Sequence, residues 1–247
     1  MTVHERQVGY EHEGVALQGV LTVDPAAQGR RPAVLVFHGM EGRSGAQLDV
    51  ARRLTEWGYA GFAVDLFGIG EDELDRGQQL MTELLNDRDR LRHRLLHVLD
   101  LVRHFPEVDP DRVAAIGFCF GGLCVLDLAR SGVEVLGVAS LHGVLTPPEN
   151  ASGNKIRAKV IVFHGWDDPF APPQDVVALG RELSEAGADW QVHAYGNTMH
   201  SFMAPAADKP EAGIMYSEVA ARRAWASLDS FLAETLAGTD GAREFPS

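Results

Sequence analysis

Short uninterrupted apolar runs recur along this chain, separated by segments in which apolar residues return every three or four positions. PAVLVF (32–37), YAGFAVD (59–65), RVAAIGF (112–118), VLGVASLHG (135–143) and AKVIVFHG (158–165) lack the alternation of a half-exposed strand. They read as strands buried on both faces. VALQGVLTV (15–23) and DWQVHAY (189–195) read as two further strands. AQLDVARRLTEWG (46–58) and PQDVVALGRELSEAG (173–187) have helical spacing and a glycine stop. LLNDRDRLRHRLLHVLDLVRHF (84–105) reads as one long amphipathic helix, with Leu84, Leu91, Leu95, Val98, Leu99 and Val102 along its apolar face. CFGGLCVLDLARSG begins as a turn and continues as a helix, and GIMYSEVAARRAWASLDSFLAETL (213–236) reads as a long closing helix. Residues 66–83, polar and irregular at first, read as an excursion from the core and a short lid.

Buried strands alternating with amphipathic helices predict an α/β fold, a mostly parallel central sheet covered by helices on both faces. No linker or repeat divides the chain, so a single domain is expected over residues 1–240, with 241–247 a C-terminal tail. Ligands of such sheets bind at the carboxyl ends of the strands.

Composition narrows the function. The 247 residues, 45% hydrophobic and 23% charged, fit a globular protein large enough to bury a core without staples. A net charge of −13 argues against nucleic acid and against anionic membranes as partners. The two cysteines, Cys119 and Cys124, match neither a zinc ribbon nor a CxxC redox pair, and with no disulfide framework a reducing, cytoplasmic setting is expected. The N-terminal MTVHERQVGYEHEG has no apolar stretch of the signal-peptide kind, and no apolar run approaches the length of a membrane span. No G-x-G-x-x-G or P-loop appears, so no nucleotide cofactor is expected. His93 and His97 have metal-ligand spacing on the long helix, but no third ligand completes a site; a solvated helix face is the reading and no metal is expected.

The chemistry sits at strand ends. GFCFG (117–121) follows a strand and opens a helix, which is the nucleophile-elbow pattern G-x-S-x-G with cysteine in place of serine. The partial positive charge of the helix start favours a thiolate on Cys119, and the N–H of Phe120 would face an oxyanion forming on a bound carbonyl. HGWDDPFAP (164–172) follows the next-but-one strand and carries Asp167 and Asp168; GNTMHSF (196–202) follows the next and carries His200. The order nucleophile, acid, histidine is that of the α/β-hydrolases.

With these motifs the chain resembles the dienelactone hydrolase family over nearly its whole length: GFCFGG resembles the family's nucleophile motif, GWDDPFAP its acid loop and HSF its histidine motif. The resemblance implies an α/β-hydrolase fold and cofactor-free hydrolysis of a small-molecule ester or lactone. It implies Cys119 as nucleophile, His200 as base and Asp168, by the family spacing, as the group that orients His200. It also implies the N–H of Met40, in HGMEG, as the second oxyanion donor. Founding members carry a glutamate just before that donor, where this chain has Gly39, with Glu41 the nearest carboxylate. They also carry an arginine after the histidine motif, where this chain has Met203, Ala204 and Pro205; Arg43, Arg76, Arg88 and Arg92 remain as candidate anion partners. His38, Glu41, Trp166 and Phe202 flank these motifs and are the expected pocket residues. The alternative class is a non-catalytic or thiol-regulatory protein on the same fold.

Overall fold

Eight strands form one sheet in the order β1-β2-β4-β3-β5-β6-β7-β8. They are β1 His4–His12, β2 Val15–Val23, β3 Arg31–Phe37, β4 Ala60–Ala63, β5 Val108–Phe118, β6 Gly137–Leu141, β7 Lys159–Gly165 and β8 Trp190–Tyr195. The computed structural model describes residues 3–70, 72–150 and 153–237. The tail expected at 241–247 lies outside them. β1 and β2 are antiparallel to their neighbours and all other pairings are parallel.

The parallel strands are apolar throughout because both of their faces are covered. Along β3, Ala33, Leu35 and Phe37 enter the core beneath α3 (Arg88–Arg103), α4 (Phe120–Arg130) and α5 (Pro173–Glu185), while Val34 and Val36 enter the core beneath α1 (Gly45–Glu56) and α6 (Glu218–Thr235). β7 divides in the same way, Val160 and Val162 to one side and Ile161 and Phe163 to the other. Period-2 alternation then separates two apolar faces rather than an apolar face from a polar one.

Three elements differ from the sequence expectation. β1 was not anticipated; its sequence HERQVGYEH buries only Val8, because it is the sheet's edge and its outward charges blunt that edge. It joins β2 through Glu13 and Gly14, both at positive φ (52° and 75°), as a two-residue hairpin turn requires. The helix expected at 84–105 is two helices: α2 (Leu74–Asn86) ends at Asp87, whose non-helical backbone (φ −128°, ψ 76°) breaks the hydrogen-bond ladder and whose side chain accepts from Arg90 N at 3.0 Å to start α3. The first ten residues of α2 lie in the segment 66–83. The closing helix begins at Glu218, five residues later than expected, capped by Ser217. Residues 214–215 form a short strand, β10 (Ile214–Met215), paired with β9 (Asp208–Lys209).

β3 and α4 approach closely at Gly121. A Cβ on Gly121 would lie 2.4 Å from the Phe37 carbonyl oxygen and 2.8 Å from that of His38, both immovable backbone. Gly121→Ala is expected to destabilise the fold by about 3 kcal/mol or more through overpacking. A urea midpoint unchanged from wild type would show that β3 and α4 separate without cost.

Candidate active site

Cys119 stands between β5 and α4 at φ 54° and ψ −116°, a strained backbone for a residue with a side chain. The turn is held by Cys119 N donating to Leu141 O at 3.1 Å and by Gly122 N donating to Cys119 O at 2.9 Å. It leaves the thiol half-buried at the N-terminus of α4. Cys124, one turn on, is fully buried, and burial pushes its thiol well above the ordinary range.

The acid and the histidine converge on this point. His200 is buried, and its Nδ1 donates to Asp168 Oδ2 at 2.7 Å. The other oxygen of Asp168 accepts from Phe170 N at 2.8 Å, so the carboxylate is fixed at both ends. Asp168 is buried, whereas Asp167 is exposed. The His200 peptide is clamped by the segment before α6: His200 N donates to Gly213 O at 2.9 Å and Met215 N to His200 O at 3.1 Å. Burial alone would lower the pKa of His200. The hydrogen bond to Asp168, together with hydrogen bonding and charge attraction to Cys119, outweighs it and raises the value to about 9. Asp168 is thus hydrogen-bonded to His200, and His200 and Cys119 both stand at the wall of a cavity of about 700 Å³.

The sequence profile of the dienelactone hydrolase family matches residues 17–236. The chain belongs to the dienelactone hydrolase family. The fold is that of the α/β-hydrolases, and the chain is an enzyme, a carboxylic ester and lactone hydrolase. It is 33% identical to the dienelactone hydrolase-like promiscuous phosphotriesterase P91 from metagenomic libraries, over 95% of this chain and 99% of that one, with a TM-score of 0.88. The solved structure named m3DLH is 35% identical with a TM-score of 0.89, again over 95% and 99%. A sequence from Aquifex aeolicus provisionally named carboxymethylenebutenolidase is 25% identical over 80% of this chain and 87% of its own length.

Within the hydrolase, Met40, Phe120 and Glu41 line the cavity beside Cys119 and His200. Glu41 is held by Gly39 N and by Gln47 Nε2, which donate to its Oε1 at 3.2 and 3.0 Å. A Cβ on Gly39 would lie 2.5 Å from Glu41 Oε2 and 3.3 Å from Cys119 Cβ. The Glu41 carboxylate thus occupies the space that a side chain at position 39 would take.

The other three expected pocket residues stand outside the wall, which corrects that expectation. His38 is fully buried; its Nδ1 donates to Gly39 O at 2.7 Å and its Nε2 accepts from Leu66 N at 3.0 Å. Burial lowers its pKa, so a neutral ring ties the loop after β3 to the loop after β4. Phe202 is buried against His142 and Tyr195, and Trp166 is 44% exposed on the surface. None of Arg43, Arg76, Arg88 and Arg92 lines the cavity. Arg88 is bound at 2.7 Å through two nitrogens to Asp127, and Arg92 pairs with Asp89.

What sequence reasoning missed is the apolar wall, to which α1, α2 and α6 contribute Val50, Met81, Leu85 and Trp225. These are helix residues with no motif to mark them. The one arginine or lysine in the wall among the described residues is Arg53, stacked 4.4 Å from the Trp225 ring and in the same wall as Asp49. Among the described residues no helix is long and apolar enough to cross a membrane, and no group of three His, Cys, Asp or Glu side chains is placed to hold a metal ion.

Proposed function

We propose that this hydrolase opens small, uncharged, activated esters and lactones through a thioester on Cys119. His200 holds the proton drawn from Cys119, and the thiolate attacks the substrate carbonyl carbon. The backbone N–H groups of Met40 and Phe120 receive the oxyanion. The tetrahedral intermediate collapses, and the leaving oxygen takes the proton from His200. Water then gives a proton to His200 and attacks the thioester carbon, releasing the acid and the Cys119 thiolate. Acylation turns the thiolate into a neutral thioester and so removes one of the two partners that raise the His200 pKa. The His200 pKa then falls towards the working pH, so the ring is unprotonated and able to take a proton just when water must be activated.

The carrying observation is the 2.7 Å bond that His200 Nδ1 donates to Asp168 at the wall of the cavity that Cys119 also lines. An uncharged substrate is supported by a wall in which Arg53 is matched by Asp49 and Glu41. The half-buried, oxidisable thiol suits a reducing, cytoplasmic setting. α2, which brings Met81 and Leu85 to the wall, serves as the short lid.

The test is to mix the enzyme with an activated aryl acetate and with a small lactone, quench within one turnover and map the acyl group by mass spectrometry. Acyl adduct on Cys119, lost on treatment with iodoacetamide beforehand, is the expected result. Turnover with no adduct, undiminished by alkylation, would overturn the covalent reading.

A further inference from the structure

His142 follows β6 at φ 40°, a conformation that residues with side chains seldom adopt. Its amide is held by Phe163 O at 2.8 Å. Its side chain is buried at 3% exposure, yet it forms part of the cavity wall. The ring meets that of His200 edge to face, with centroids 5.2 Å apart, and packs on Phe118 and Phe202, each at 5.7 Å. Among the described residues, neither ring nitrogen has a hydrogen-bond partner from another residue. Packing against two phenylalanines would be served as well by an apolar side chain, without two buried polar atoms left to satisfy. Burial and the nearby His200 drive the His142 pKa well below its ordinary value, so the ring is neutral, with one N–H and one lone pair.

We propose that His142 is a catalytic residue of deacylation, holding the water that hydrolyses the Cys119 thioester. The proposal rests on the covalent reading above. A water poised to attack must direct one proton to its base, keep a lone pair towards the carbonyl carbon and find an acceptor for its second proton. The base is His200 Nε2, because Nδ1 is committed to Asp168. The lone pair of His142 is the second acceptor, on a ring in contact with that of His200. The proton on the remaining His142 nitrogen stays in place throughout, and the ring neither gains nor loses charge.

Water and methanol distinguish this role from a structural one. Water has two protons to place and methanol only one, so methanolysis of the thioester needs His200 but not His142. The test uses His142→Phe, which keeps the ring volume, and His142→Gln, which returns an acceptor. Stopped-flow with an aryl acetate should show acylation within about threefold of wild type and hydrolysis slowed by about tenfold or more, so that a burst appears and acyl-Cys119 accumulates. In added methanol, the ratio of methyl ester to acid should rise several-fold in His142→Phe and fall back towards wild type in His142→Gln. An unchanged ratio, or acylation and deacylation slowed together, would overturn the proposal. If His142→Phe does not fold, His142→Leu, which also lacks an acceptor, takes its place: a raised ratio supports the proposal and an unchanged one overturns it. Absence of acyl-Cys119 in every protein, wild type included, would instead mark failure of the covalent reading.

Discussion

Cys119→Ala should lower kcat/KM for aryl acetates by about 10⁴-fold or more, leaving only what binding and the oxyanion donors contribute. The size follows from the role: without sulfur no covalent intermediate forms, and His200 loses one of the partners that raise its pKa. The backbone of the turn is retained, because alanine keeps the Cβ that already sits at φ 54° and the bonds to Leu141 and Gly122 are main-chain. Circular dichroism should therefore match wild type. Cys119→Ser restores a nucleophilic atom but a hydroxyl far less acidic than a thiol, so His200 draws its proton much less readily; most of the lost activity should stay lost. Iodoacetamide should label wild type at Cys119 alone, because Cys124 is fully buried with its thiol held protonated. Activity in Cys119→Ala within tenfold of wild type would exclude the thiol as nucleophile.

The parts of the site that sequence revealed are those in which chemistry dictates residue type and chain position together. An elbow needs small neighbours, and Gly121 is pressed against the Phe37 carbonyl; an orienting carboxylate must follow a strand, and Asp168 does. Distinguishing Asp168 from Asp167 required the family spacing, since both stand in one loop and only burial separates them. His38, Trp166 and Phe202 sit next to functional residues in sequence, but strand and loop geometry turns neighbouring side chains in different directions. His38 therefore became an anchor and Phe202 core, and Trp166 turned to the surface. The wall is contributed by helices distant in sequence, where Met81 and Leu85 carry the same apolar signal as any core residue. The break at Asp87 was hidden because the apolar period runs through it: Leu84 of α2 and Leu91 of α3 enter the same core.

Asp168→Asn tests the coupling on which the site depends. In the wild type the carboxylate accepts from His200 Nδ1, which fixes the tautomer in which Nε2 carries the lone pair. The amide of an asparagine can retain the bond from Phe170 N with its oxygen only by presenting its NH₂ to His200. Nδ1 must then accept, Nε2 carries the proton, and the ring can no longer take one from Cys119. A loss of about 10⁴-fold in kcat is expected from such a tautomer error. Burial, the strongest influence on this imidazole and one that lowers its pKa, would then be opposed by Cys119 alone, so the value falls from about 9. The shift from 6.5 to about 9 corresponds to about 3 kcal/mol, shared between Asp168 and Cys119. Because the folded value is raised, that contribution is fully present below pH 6.5 and fades as pH rises through 9. The gap in Tm between wild type and Asp168→Asn should therefore be widest near pH 6 and narrow by pH 10, while Asp167→Asn, at an exposed position, changes neither Tm nor rate appreciably. A gap independent of pH would mean that Asp168 stabilises the fold through its bond to Phe170 rather than through His200, and an unchanged rate would remove it from the catalytic chain.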